Sequence, residues 1–122
     1  MSLVILHNRF ANTVLLYVVI LCLWGFWRVI RKENVNGSYW GSLAIAEILI
    51  IVQGALGAFL WFSSLRPERG GIHILYGIVG LLGIPAVYLF TKGKGGRREM
   101  IVYAAIMLFN VGIFLRAITT GG

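Results

Sequence analysis

The chain has 122 residues, of which 59% are apolar and only 12% are charged, and its net charge is +7. A soluble globular domain carries roughly 25% charged residues, so this composition excludes an ordinary soluble domain. The basic residues lie in short segments between long apolar runs, which favours membrane topology over nucleic-acid binding as the reason for the positive charge.

Four apolar segments are each long enough to cross a hydrocarbon layer of about 30 Å, which takes about 20 residues of helix. The first predicted helix, 3–30, is followed by a basic cluster, the reverse of a signal peptide, so we expect it to be retained. The others are 40–63, 71–91 and 98–118. Because short connections with turn residues make consecutive helices antiparallel, we predict an all-α, integral-membrane, up-down-up-down four-helix bundle forming a single domain over 1–122.

Alternating helices place the basic residues unequally on the two sides of the membrane. One side carries Arg28, Arg31, Lys32, Lys92, Lys94, Arg97 and Arg98. The other side carries Arg9, Arg66, Arg69 and Arg116. The positive-inside rule therefore predicts that the first side is cytoplasmic and that both termini are outside. We expect the membrane to be that of a bacterial or archaeal cell.

The only two histidines begin two of the predicted helices: His7 opens the first and His73 opens the third. These helices run in the same direction, so both side chains are expected at the same depth near the outer face. The two helices are diagonal in a bundle, so inward-facing imidazoles would face each other across its centre. Heme iron takes two axial imidazoles in this way, whereas a structural zinc site needs about four ligands. The sequence predicts that His7 and His73 are the axial ligands of a heme iron.

Small residues follow each histidine on the same helix face. Gly77 and Gly80 lie four and seven residues after His73, and Ala11 lies four residues after His7. They are predicted to leave room for the flat heme ring. The alternative for the many glycines is close packing between helices in lipid.

Other polar side chains are predicted to line the heme. Arg9, Arg66 and Arg69 are expected at the same end as the histidines, where they could pair with the heme propionates or extend to lipid headgroups. Gln53, near the middle of the second helix, could line the cofactor or bond across helices.

Glu47 is a carboxylate inside the second predicted helix, where charge is costly and function is the default hypothesis. It could carry protons or face a quinone. The alternative is an ion pair with Arg28.

Three segments carry a resemblance to a known family: "HNRFANTVLLYVVILCLWGFWRVIR", "IIVQGALGAF" and "IHILYGIVGLL". Together they resemble half of a heme A synthase, whose fold consists of two similar four-helix bundles with a pair of histidines in each. The resemblance implies a non-covalent heme b with His7 and His73 as its ligands. Val4 stands where that family often has a Glu, and Asn8 separates His7 from Arg9, so the resemblance implies heme binding rather than catalysis.

The sequence thus predicts a small membrane cytochrome b with one bis-histidine heme near the outer face. It would transfer electrons to or from a quinone or a partner complex, as a homo-oligomer or within a larger membrane complex. Two imidazole ligands leave no open position on the iron, which favours an electron carrier or subunit over an enzyme. The alternatives are a cofactor-free accessory or structural subunit of a larger membrane complex, and a heme-handling protein related to heme A synthase.

Overall fold

The computed structural model describes residues 3–62 and 70–120. These residues form four helices and no strand. The helices are α1 (Leu3–Ile30), α2 (Gly37–Phe62), α3 (Gly70–Phe90) and α4 (Arg97–Thr120). All four are long and apolar enough to cross a membrane, so the structure is compatible with an integral membrane protein in a lipid bilayer. The predicted all-α four-helix bundle is confirmed.

The helices form a four-membered ring in which α1 and α3 are diagonal. Within the described residues, α1 packs on α2 and α4, and α3 packs on the same two helices, with no comparable contact between α1 and α3. The contact between α1 and α4 is the most extensive, and the one between α2 and α3 is the least. The beginnings of α1 and α3 therefore share one end of the bundle, which we call the histidine end. The opposite end, where short loops join α1 to α2 and α3 to α4, is the basic end.

Helix α2 begins three residues earlier than the sequence suggested because Asn36 caps it. The Asn36 Oδ1 atom accepts a hydrogen bond from the backbone N–H of Tyr39 at 2.8 Å. This satisfies an N–H group that has no partner within the helix, which is the usual role of an Asn N-cap. The Asn-Gly pair thus starts a helix instead of forming only a turn.

The buried core is concentrated between the middle of the bundle and its basic end. Tyr39, Tyr103 and Met100 are completely buried, and the Tyr39 hydroxyl donates to the Leu21 carbonyl at 3.1 Å. At Gly25 of α1, an added Cβ would lie only 2.6 Å from that hydroxyl oxygen. The absence of a side chain at Gly25 therefore allows this close packing.

Arg28 is buried at the end of α1 and pairs with the loop. Its Nη1 lies 3.0 Å from a Glu33 carboxylate oxygen, and its guanidinium also donates to the Asn34 carbonyl. The alternative in which Arg28 pairs with Glu47 is wrong, because Glu33 and Asn34 follow Arg28 directly in the turn and satisfy the guanidinium locally.

Candidate functional site

The two histidines meet across the bundle at its histidine end. His7 lies in the second turn of α1 and His73 in the first turn of α3. Their ring centroids are 6.4 Å apart, with an angle of 76° between the ring planes. Both side chains are half-buried. The diagonal arrangement of two parallel helices brings these residues together although 66 positions separate them.

Helix α2 holds His7 from one side. The Gln53 Nε2 atom donates a hydrogen bond to the His7 backbone carbonyl at 2.9 Å. One turn further along α2, a Cβ added to Gly57 would lie 3.2 Å from the Cε1 atom of His7. The glycine therefore allows α2 to approach the imidazole face, while Gln53 fixes the backbone of α1 at the same level.

Helix α4 holds His73 from the other side. Its ring makes a hydrogen bond to the backbone at Ala117, in the last turn of α4. Carbonyl groups in the last turn of a helix lack partners within the helix, so the Ala117 carbonyl is available to accept the ring N–H. In a neutral imidazole, donation by one ring nitrogen leaves the lone pair on the other, which is the form that binds a metal.

Two polar atoms around His7 are buried without a hydrogen-bond partner among the described residues: His7 Nδ1 and Gln53 Oε1. Leaving a polar atom unsatisfied inside a protein costs about 1–3 kcal/mol. Such atoms occur in native proteins where a water, an ion or a ligand completes the site. The site around His7 is therefore suited to a polar or metal-containing ligand.

The small residues predicted beside the histidines have different surroundings. Gly77 is exposed, and nothing in the described part of the chain lies within 4 Å of a Cβ added there. A Cβ on Gly80 would instead lie 2.8 Å from the ring of Phe114 in α4, so this glycine serves the packing of α3 on α4. Ala11 is half-buried, one turn below His7. Gly77 thus leaves open space beside His73, and Gly80 does not.

One of the three predicted arginines is among the described residues, and a further arginine lies at the same end of the bundle. Arg9 is exposed near the beginning of α1, whereas Arg66 and Arg69 lie outside the described residues. Arg116, which precedes Ala117, lies over the ring of Tyr76 with its Cζ atom 5.9 Å from the ring centroid. The sequence placed Arg116 on the correct side of the bundle but gave no signal of this contact, because it depends on how α3 and α4 are rotated.

The donor set limits what the site can bind. Across residues 3–62 and 70–120 there is no group of three or more His, Cys, Asp or Glu side chains that could hold a metal ion. A structural zinc site is thus not formed by the described residues. A pair of imidazoles does suit a metal whose remaining ligands come from a cofactor, as in heme.

Comparison of the chain with protein-family models, curated proteins and solved structures finds no match in any of the three. Function is therefore inferred from the geometry of the histidine end.

Proposed function

We propose that this protein is a membrane cytochrome b that binds one heme b between His7 and His73 and transfers single electrons. The separation of the two imidazoles carries the proposal. A metal–imidazole bond is about 2 Å long and the ring centre lies about 1 Å further, so two imidazoles on opposite sides of one metal ion have centroids about 6 Å apart. The observed centroid distance of 6.4 Å matches that requirement.

The neighbouring groups support the role of the histidines as ligands. Histidines that bind metals usually donate their other ring N–H to a carbonyl or carboxylate, which fixes the ring and increases the basicity of the ligating nitrogen. The hydrogen bond of His73 to the backbone at Ala117 is of this kind. Gln53 and Gly57 fix the position of His7.

The side of the bundle between α2 and α3 is where we propose that the heme ring enters. These two helices make the least extensive contact of the neighbouring pairs. Within the described residues, a Cβ added at Gly54 of α2 or at Gly77 of α3 would have no neighbouring atom within 4 Å. Arg9 and Arg116 are the described cations of this end and are proposed to pair with the propionates, together with Arg66 and Arg69.

When bound, the heme supplies a one-electron redox centre, and two imidazole ligands favour electron transfer over oxygen chemistry. The excess of basic residues at the opposite end supports placing the histidine end outside the cell membrane. One heme near one face of a layer about 30 Å thick does not carry an electron across it alone. We therefore propose that the electron partner is a quinone, a second copy of this chain or a larger membrane complex.

The short motifs that resemble half of a heme A synthase agree with this proposal, which does not depend on them. Val4 in place of the family's carboxylate favours an electron carrier over an enzyme that modifies heme.

Absorption spectroscopy of the protein purified from a heme-replete host tests the proposal. Wild-type protein should show the sharp reduced-minus-oxidised bands of a six-coordinate b-type heme. Either His7→Ala or His73→Ala should abolish those bands while helical content, measured by circular dichroism, is unchanged. Asn12→Ala, an exposed position one turn further along α1, is the matched control and should keep the spectrum.

A colourless wild-type protein would overturn the heme proposal and favour the cofactor-free accessory subunit. Bands that persist in both histidine variants would show that heme binds elsewhere.

A further inference from the structure

A second polar feature lies in the membrane-spanning part of the bundle, away from the histidines. A groove of about 420 Å³ runs between α2 and α3 towards the basic end, with Trp40, Ala44 and Glu47 on one wall and Pro85 and Tyr88 on the other. Its volume falls within the range of about 300–1,000 Å³ that is usual for small-molecule sites. Apart from the Glu47 carboxyl group, its lining is almost entirely apolar.

Glu47 provides an acceptor that lacks a donor. Its Oε1 atom is buried and has no hydrogen-bond partner in the described part of the chain. Arg28, the cation expected to pair with it, is bound to Glu33. A buried acceptor without a donor is costly, and an ionisable side chain within a membrane span marks a functional site by default.

The depth of Glu47 limits which molecules can supply the donor. It is ten residues from the start of α2 at Gly37, which at about 1.5 Å per residue is about 15 Å along the helix, near the middle of the hydrocarbon layer. Phospholipid headgroups do not reach this depth, and acyl chains carry no donor. A lipid-soluble molecule that carries a hydrogen-bond donor meets both conditions.

The walls favour a flat ring. The rings of Trp40 and Tyr88 are in edge-to-face contact, with centroids 5.9 Å apart, so a third ring does not fit between them but can pack against their outer surfaces, as aromatic groups do. Ala44 has a short side chain and Pro85 has no N–H, so neither fills the groove nor adds a donor to it. Leu89, which lines the groove, is 76% exposed, so the groove opens towards the lipid-facing surface.

We propose that this groove binds the headgroup of a lipid-soluble quinol, with one quinol hydroxyl donating a hydrogen bond to the Glu47 carboxylate. The aromatic headgroup packs over Ala44 and Pro85, beside the Trp40–Tyr88 pair, and its isoprenoid tail extends into the bilayer. Binding does not require the heme; only the role of the quinol as an electron donor rests on the proposed cytochrome function.

Equilibrium binding of a short-chain benzoquinol, decylubiquinol, to the full-length protein in lipid nanodiscs tests this site. The comparison ligand is its dimethyl ether, which has the same ring and tail but no hydroxyl donor. The ether cannot donate to the Glu47 carboxyl group, so wild-type protein should bind the quinol at least about tenfold more tightly than the ether. Glu47→Gln should reduce that preference to about threefold or less.

A second variant tests the space in the groove without changing Glu47. Ala44→Phe should fill the groove and abolish binding of both ligands. The matched control is Ala105→Phe, an exposed position on α4, which should bind both ligands as wild-type protein does.

Equal affinity of wild-type protein for the quinol and the ether would overturn the proposal, as would unchanged binding in Ala44→Phe. A dimer that Ala44→Phe dissociates, without any quinol binding, would overturn it by assigning the groove to a second copy of the chain. Wild-type protein that has the heme spectrum but does not bind the quinol contradicts only this inference. Colourless wild-type protein that binds the quinol contradicts only the cytochrome proposal.

Discussion

The two ends of this bundle differ in how completely their side chains satisfy one another. Towards the basic end, Tyr39 and Tyr103 are fully buried, the Tyr39 hydroxyl has a carbonyl partner, and buried Arg28 is bound to the loop. At the histidine end, His7 and Gln53 each retain a buried polar atom without a partner among the described residues. The basic end thus satisfies its buried tyrosine and arginine side chains internally, apart from the Glu47 Oε1 atom towards the middle of α2, whereas the histidine end is suited to an additional group.

This difference separates the residues that hold the bundle together from those that shape a binding site. A native interior leaves few buried polar groups unsatisfied, and an exception calls for a specific explanation such as a ligand. Substitutions towards the basic end should therefore reduce the free energy of unfolding. Substitutions at the histidine end should change cofactor binding while leaving that free energy nearly unchanged.

The largest expected effect is at Gly25, where α1 packs closely on Tyr39 and on Ala104 of α4. Gly25→Leu should lower the free energy of unfolding by about 3 kcal/mol, because an overpacked core must move its backbone and side chains apart. Denaturant unfolding in detergent micelles, followed by circular dichroism, measures this change. Gly41→Leu is the control, since no atom of the described chain lies within 4 Å of a Cβ there. Equal stability of the two variants would contradict close packing at Gly25.

A smaller loss is expected at Arg28. Arg28→Met keeps the length of the side chain but removes the charge that binds Glu33 and the Asn34 carbonyl. Because Glu33 is partly exposed and can recover hydrogen bonds from water, we expect a loss of about 2 kcal/mol. Arg31→Met, which alters a side chain that is 58% exposed and also pairs with Glu33, should cost less than about 0.5 kcal/mol in the same unfolding assay. If the two variants lose the same stability, the buried position of Arg28 has no energetic consequence.

Much of the fold could be predicted from the sequence because it depends on the apolar composition of the helices and on their alternating direction across the membrane. Four apolar runs fix the number of helices, and alternation fixes which ends meet, so the proximity of His7 and His73 follows from their positions in the chain. Gly57, Ala117 and Arg116 could not be assigned to the site in this way. Their contacts depend on the rotation of each helix about its axis. That rotation can be predicted when one face of a helix is polar, but these four helices are apolar on almost all sides.

Contacts with other side chains explain why two expectations from the sequence differ from the structure. Arg28 was considered a partner for Glu47, but Glu33 lies only five residues further along and the turn brings it to the guanidinium. Gly80 was predicted to leave room for a heme, but the ring of Phe114 occupies that space. In the first case a residue nearby in the chain forms the ion pair with Arg28. In the second, a side chain of α4 fills the space beside Gly80.

The smallest effect on stability, and the most specific effect on function, is expected at Gly57. Gly57→Ala places a methyl group 3.2 Å from the His7 ring, so the imidazole must shift by a few tenths of an ångström. We expect heme affinity to fall about fivefold, corresponding to about 1 kcal/mol, while the free energy of unfolding of the heme-free protein stays within about 0.5 kcal/mol of wild type. Because a strained complex dissociates faster, the rate of heme transfer to apomyoglobin should rise by about the same factor.

Gly54→Ala is the matched control for Gly57→Ala, because nothing in the described residues lies within 4 Å of the added Cβ. It should retain heme as wild-type protein does. Faster heme loss from Gly54→Ala than from Gly57→Ala would show that contact with His7 does not control affinity.

We propose that two imidazoles from diagonal helices ligate one heme iron. Electron paramagnetic resonance of the oxidised wild-type protein at low temperature tests it most directly, because the spin state of ferric heme reports both axial ligands. We expect a low-spin ferric signal from one heme per chain, converted to a high-spin signal or lost when either histidine is replaced by alanine. A high-spin signal in the wild-type protein, or no heme iron signal, would contradict it.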